Sequence, residues 1–243
     1  MGPAKPVEVV EYGVGKKGFQ DVASYDRRRY TGPANEYKQK VMANAYRRLI
    51  GSLAGKRILD VGCGTGRGVT DFARDARMAT GCDASLDMLS FAREKVSGRQ
   101  NCCFAAAYAQ SLPFSNGVFD VVTALNFLHL FSLETQKAMV AEMKRVVKPG
   151  GILVLEFDNA LHGLGIGLYK RWFGDERGSL PGEIRYLLGG RVRITHICGA
   201  VYPVVWRWLY RFPRFSLPLE KAAYHAPLNR FSHRIYYRLI RQG

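Results

Sequence analysis

Cysteine is scarce and odd in number. Five cysteines, at positions 63, 82, 102, 103 and 198, stand in 243 residues, and none forms a C-x-x-C pair. Neither a disulfide framework nor a zinc site is expected, and a reduced, cytoplasmic setting fits. No His/Asp/Glu cluster has ligand spacing either, so no metal is expected. Long apolar runs are missing. The longest candidate, Ile197 to Trp206, is broken by Pro203 and followed by Arg207, which excludes a spanning helix there. The opening MGPAKPVEVVEYGVGKK lacks the apolar core of a secretory signal, and Pro6 stands where a myristoylation signal wants Ser or Thr. Acidic residues are also short. Twenty Asp+Glu face 36 Lys+Arg, leaving +16. That surplus attracts an anionic partner: nucleic acid, a membrane surface or an acidic substrate. It is uneven. Residues 51–160 carry twelve basic and eleven acidic groups, whereas 161–243 carry fourteen and four, and twelve of those fourteen are arginines.

Hydrophobic residues make up 47% of the chain, enough to bury a core. Residues 1–18 read as loose, Phe19 to Tyr30 as a short helix, and Ala34 to Leu53 as an amphipathic helix with Tyr37, Val41, Ala45 and Leu49 at four-residue spacing. Strands are then expected at 57–61, 78–82, 101–107, 119–125 and 152–157. Helices are expected between them, at 69–77, 85–96 and 133–147. This alternation predicts an α/β fold: a Rossmann-like, mostly parallel sheet with helices on both faces. Pro181 to Leu188 reads as a further helix and Val192 to Val201 as a late strand. From 227 on, Leu228, Phe231, Ile235 and Leu239 fall at helical spacing, with Arg230, Arg234, Arg238 and Arg241 on a neighbouring stripe. That pattern predicts a basic amphipathic helix for a membrane surface or a partner. The division expected is a helical cover over 1–53, a core over 54–204 and a basic, aromatic C-terminal extension over 205–243.

The first βα turn reads Asp60-Val61-Gly62-Cys63-Gly64-Thr65-Gly66. Glycines let a backbone turn tightly and approach a ligand at the C-terminal ends of the strands. The dinucleotide pattern G-x-G-x-x-G fails from each starting glycine, ending on Arg67, Val69 or Asp71. Asp83 closes the second strand, where a carboxylate can accept two bonds from a ribose diol or cap the following helix.

Four blocks, Ile58–Gly68, Gly81–Met88, Leu112–Leu130 and Val147–Glu156, resemble the class I S-adenosylmethionine-dependent methyltransferases, especially the branch of ubiquinone and menaquinone methylases. The stretch Phe19–Asp26 is similar to that family's N-terminal cover. The resemblance implies S-adenosylmethionine as cofactor. Gly62, Gly64 and Gly66 would meet its methionine and ribose parts, and Asp60 would order the loop near the amine. Asp83 would take the ribose hydroxyls, Ala84 and Met88 would flank the adenine, and the stretch Tyr108-Ala109-Gln110 would meet its edge. Leu125, ending the fourth strand, joins this cofactor-binding set. Related proteins carry Asp at the place of Tyr108, so that contact departs from the pattern.

Methyl transfer from a sulfonium is an in-line displacement, so the protein must align the groups and exclude water, and needs a base only if the acceptor must lose a proton. His129 is the candidate base, and Tyr25 and Tyr30 are expected to close over the cofactor from the N-terminal cover. Asp158-Asn159 lies at the same sheet edge. The expected function is methyl transfer to a small apolar or lipid-like acceptor, peripherally at an anionic inner membrane face. An RNA-directed methyltransferase using the basic flanks, and a cofactor binder that does not methylate, stay open as alternatives.

Overall fold

The structure is a computed structural model of the chain, and residues 21–161, 178–201, 211–222 and 232–243 are described. Residues 1–20, including the start of the helix read from Phe19, lie outside them. So do His162, His225, Trp206, Trp208, Tyr210, Leu228, Arg230 and Phe231. Seven strands form one sheet: β1 (Arg57–Val61), β2 (Met78–Asp83), β3 (Cys102–Ala106), β4 (Phe119–Ala124), β5 (Val147–Asp158), β6 (Val192–Ala200) and β7 (Arg234–Arg241). Their order is β3-β2-β1-β4-β5-β7-β6. Strands β1 to β5 run parallel, and β7 is antiparallel to both β5 and β6.

Seven helices accompany the sheet among the described residues: α1 (Val22–Tyr30), α2 (Pro33–Ile50), α3 (Arg67–Phe72), α4 (Leu86–Lys95), α5 (Leu133–Val146), α6 (Pro181–Leu188) and α7 (Pro213–Ala222). Strand side chains alternate between faces. Leu59, Val122, Leu153 and Leu155 bury into a layer with Met139, Val140 and Met143 of α5 and Ile184 and Leu187 of α6. Their neighbours Ile58, Val121 and Val154 bury into the opposite layer, with Tyr37, Val41, Met42, Ala45 and Leu49 of α2 and Phe72 of α3. Continuous burial on both faces is what a crossover-connected parallel sheet requires.

The C-terminal stretch corrects the sequence reading. Residues 234–241 form a strand within the sheet, not an appended helix. A four-residue spacing fits both periods, since two strand repeats also make four. The intervening residues decide: Ile235, Tyr237 and Leu239 bury into the α5 layer, while Tyr236 buries into the α2 layer. A helix with one apolar stripe would leave half of these exposed. The arginines of this stretch are used inward. Arg238 donates to Thr195 Oγ1 at 2.8 Å, and Arg241 donates to the carbonyls of Arg145 and Val147. The sheet therefore extends past residue 205, where the extension was drawn. No helix among the described residues is long and apolar enough to cross a membrane.

Candidate functional site

Local chemistry sets the glycine loop. At the end of β1 the N–H groups of Gly62 and Cys63 both donate to the Cys82 carbonyl, at 2.8 and 3.0 Å. This folds the chain back across β2, with Gly62 at φ +71°. The Phe127 ring fills the space that a Cβ at Gly62 would take, so only glycine fits. Gly66, at φ +73°, opens α3, and a Cβ there would come within 2.7 Å of the Ala92 Cβ.

Asp83 ties this loop to the next turn. Its Oδ2 accepts the Gly64 N–H at 2.8 Å and its Oδ1 accepts the Ser85 N–H at 3.0 Å. Ser85 caps α4 through the Met88 N–H at 3.3 Å, so the capping role open to Asp83 belongs to Ser85. Burial pushes the Asp83 carboxyl up, against the backbone donors that lower it.

A small cleft opens here at the C-terminal edge of the sheet. Of the residues expected from sequence to hold a cofactor, Gly62, Asp83, Ala84, Ala109 and Gln110 line it. Asp60, Gly64, Gly66, Met88, Tyr108 and Leu125 are not on its wall. Met88 is buried, Tyr108 is 48% exposed, and Leu125 packs against the α2-side core. Phe127 and Met139 also line the cleft, and sequence reasoning passed over both. Phe127 could have been found as the large side chain that must face a glycine turn. Met139, on α5, leaves no such trace.

Helix α1 sits beside the loop. Asp21 caps it by accepting the Ala23 and Ser24 N–H groups at 2.9 and 3.1 Å. Asp26 Oδ1 accepts the Thr65 hydroxyl at 2.6 Å and the Lys95 ammonium at 2.7 Å. The Arg67 guanidinium lies 4.1 Å from the Tyr30 ring centroid. Tyr25 is half-buried and meets Tyr30 edge-on at 6.5 Å.

Asp60 is buried beneath the loop, where its Oδ1 accepts the Thr123 hydroxyl at 2.7 Å. Burial pushes its pKa up to about 7, with the hydroxyl bond opposing and Asp83 and Glu156 adding to the rise. An unfolded aspartate titrates near 4. Between about pH 4 and 7 the folded state therefore holds the extra proton, and this group's contribution to stability falls as pH rises through that window. The limiting slope is about 1.4 kcal/mol per pH unit. Asp60→Asn should flatten urea-denaturation stability between pH 5 and 7 relative to the parent. Identical slopes in the two proteins would refute the assignment.

The end of β4 completes this edge of the sheet. Asn126 adopts φ +53°, a left-handed conformation that asparagine tolerates better than most residues, and its N–H donates to Glu156 Oε2 at 3.1 Å. A short 3-10 turn, Leu128–Leu130, then buries His129. Glu156, Asp158 and Arg234 are all buried beside it. Arg234 bonds Asp158, lies 3.4 Å from Glu156 Oε1 and comes within 3.5 Å of His129 Nδ1. Burial, then Arg234, Arg29 and Lys38, push the His129 pKa down to about 3. The near-neutral base read from sequence is thus a neutral imidazole here, held from its ordinary value by desolvation and three cations. Asn159 donates to the Ser232 carbonyl at 2.9 Å. No group of three or more His, Cys, Asp or Glu among the described residues could hold a metal, and all five thiols are free.

Residues 58–151 match a family described as "Methyltransferase domain". The demethylmenaquinone methyltransferase of Beutenbergia cavernae is 36% identical over 141 residues, covering 56% of this chain and 55% of that protein. The fatty-acid O-methyltransferase of Mycolicibacterium smegmatis is 38% identical over 101 residues, covering 40% and 35%. The chain spans about half the length of the quinone-methylating relatives it matches. Magnesium protoporphyrin IX methyltransferase from Synechocystis PCC 6803, solved with bound SAH, shares the fold at a TM-score of 0.65 and 18% identity, covering 92% of this chain and 97% of that one. With the strand order and glycine loop already described, these matches establish that the chain carries a class I S-adenosylmethionine-dependent methyltransferase domain related to those of the quinone methylases.

Proposed function

We propose that the chain transfers the methyl group of S-adenosylmethionine to a small apolar or lipid-like acceptor at an anionic membrane surface. The observation that carries the reading is the Asp83 carboxylate, held at the end of β2 between the Gly64 and Ser85 N–H groups and on the wall of the cleft. A carboxylate so placed can accept two bonds from the ribose hydroxyls. Gly62, Gly64 and Gly66 let the backbone meet the methionine and ribose parts, and Asp60 steadies the loop under the methionine amine. Ala84 and Met88 flank the adenine, Ala109 offers its N–H to the adenine edge, and Leu125 closes the cofactor end of β4. Exposed Tyr108 stacks from the rim. Tyr25, on α1, covers the cofactor, and Asp26 pins that cover to Thr65. The cofactor supplies the activated methyl group. The protein's part is alignment and the exclusion of water.

Names of relatives support the acceptor class, since demethylmenaquinone and fatty acids are both largely apolar. The surface supports the location. Phe212, Phe215 and Leu219, at and within α7, are exposed beside exposed Arg211, Arg214 and Lys221. Apolar side chains bordered by cations suit an anionic leaflet, where each engaged basic group contributes about 1 kcal/mol.

The test is transfer of labelled methyl from S-adenosylmethionine to lipid extract and to RNA, with liposome co-sedimentation alongside. Because β7 is internal to the sheet, the surface is tested with point variants. Label should enter lipid, and Phe215→Ser with Leu219→Ser should lower binding to anionic liposomes at least tenfold. Label entering RNA alone would overturn the acceptor class. Liposome binding indifferent to both substitutions would overturn the surface.

A further inference from the structure

The wall of the cleft is chemically sparse. Apart from the weakly accepting Met139 sulfur, only Cys82, Asp83 and Gln110 bring a hydrogen-bonding side chain to it. The Cys82 thiol is turned to the Ala107 carbonyl, 3.6 Å away. Asp83 is held by the Gly64 and Ser85 N–H groups and faces the ribose. Gln110 is the remaining polar side chain. In an otherwise apolar pocket a few placed polar groups fix orientation and specificity. The backbone brings Gln110 there. The last pair between β2 and β3 is Asp83 with Ala106, and the Ala107 N–H donates to the Asp83 carbonyl at 3.1 Å. The chain then leaves the sheet and turns. The Ser111 N–H donates to the Tyr108 carbonyl at 3.0 Å, which makes Ala109 and Gln110 the two corner residues. Both corners lie on the cleft wall, whereas Tyr108, 48% exposed, does not. Ala109 is 6% exposed, and its N–H donates to no group among the described residues. Buried backbone donors are nearly always paired, so this one is placed for an acceptor that a ligand brings. Gln110 is half-buried, and its carboxamide makes no hydrogen bond among the described residues. The turn thus presents a fixed donor and, one residue on, a carboxamide that can turn its oxygen to a ligand.

We propose that Gln110 selects the purine of the cofactor. Its carboxamide oxygen accepts a hydrogen of the adenine 6-amino group, while the Ala109 N–H donates to ring nitrogen N1. This rests on the methyltransferase reading above, with the ribose on Asp83. A nucleoside anchored there carries its base along the segment that leaves the end of β3, and that segment is 107–110. The edge of adenine offers a donor, the amine, beside an acceptor, N1. Neighbouring corners of one turn offer the complement. A purine with oxygen at position 6 reverses both groups, so its N1–H would meet the Ala109 N–H head-on. A purine with only hydrogen at position 6 keeps the N1 acceptor and loses the amine alone. Tyr108, off the wall, takes no part in reading this edge.

The test is calorimetric titration of the whole chain with three ligands. They are S-adenosylhomocysteine, its analogue with unsubstituted purine in place of adenine, and its analogue with hypoxanthine. The parent should bind the purine analogue about tenfold more weakly than S-adenosylhomocysteine, the scale of one hydrogen bond, and the hypoxanthine analogue more weakly still. Gln110→Leu should lose about tenfold in S-adenosylhomocysteine affinity and then bind it and the purine analogue alike, because the amine has no partner left to lose. Gln110→Glu keeps an acceptor oxygen and should keep the preference for the amine. Tyr108→Ala, which retains both corner residues, should keep it too. Gln110→Met gives a second reading should Gln110→Leu fail to fold. A parent that binds either analogue as tightly as S-adenosylhomocysteine would overturn the assignment and leave the methyltransferase reading standing. So would a preference that persists without Gln110 or vanishes without Tyr108. Failure to bind any of the three ligands would overturn both.

Discussion

Arg234→Met should lower folding stability by about 3–5 kcal/mol at pH 8. Arg234 is 2% exposed and is the cation held between Glu156 and Asp158, themselves buried on β5. Removing it strands two carboxylates in a medium that solvates charge poorly. The cost is the unpaired charge, not the lost attraction, and this gives the prediction a pH signature. Burial already pushes Glu156 up, and Arg234 holds it down. Without the guanidinium Glu156 rises further and takes a proton in the folded state. The destabilisation is then greatest with Glu156 ionised and shrinks as pH falls and Glu156 takes its proton. Urea denaturation at pH 8 and pH 5 checks both size and direction. Adding Glu156→Gln and Asp158→Asn should restore most of the loss, because a neutral buried set needs no guanidinium. A cost under about 1 kcal/mol at pH 8 would mean that water reaches the cluster.

Asp83→Ala should weaken S-adenosylmethionine binding at least tenfold, the scale of two charge-assisted hydrogen bonds. The loss has a second source. The same carboxylate holds the Gly64 N–H at 2.8 Å, so the loop loses an anchor when the ligand loses a partner. Folding should suffer little, because burial already makes this carboxylate unfavourable, as its raised pKa records. Affinity and stability then separate, which distinguishes a ligand group from a structural one. Asp83→Asn keeps one acceptor oxygen and should fall between the two. An unchanged dissociation constant by calorimetry would remove Asp83 from the ribose.

What was legible follows the range of the interactions. The glycine turn is set by residues within a few positions of one another, and its spacing alone separates it from a dinucleotide loop. The strand–helix alternation through residue 158 is equally local, and its elements read in the right order, although the helix expected over 69–77 ends at Phe72 and the strand expected from 152 begins at Val147. Strand β7 was misread because Ile235 and Leu239 satisfy two periods. Only pairing with β5 and β6 selects the extended one. The acceptor-side cluster was hidden for a different reason. Arg234 meets Asp158 across 76 positions of sequence and His129 across 105, so no local pattern records them. His129 was picked out by residue type, but its protonation state depends on its burial and then on Arg234, Arg29 and Lys38 from three other elements. Likewise Asp26 and Thr65, 39 positions apart, meet only once α1 docks.

The position of β7 also fixes an order of events. β5 and β6 leave the ribosome first, yet they cannot pair with each other, because the slot between them belongs to residues made later. Until 234–241 emerge, the nascent sheet carries two open edges facing one gap, a state prone to capture other strands. Insertion of β7 hydrogen-bonds both edges in one step and delivers Arg234 to its carboxylates in the same motion. Closure of the sheet and neutralisation of the acceptor-side charge are one late event of synthesis, so a ribosome stalled before residue 234 would hold a chain with neither.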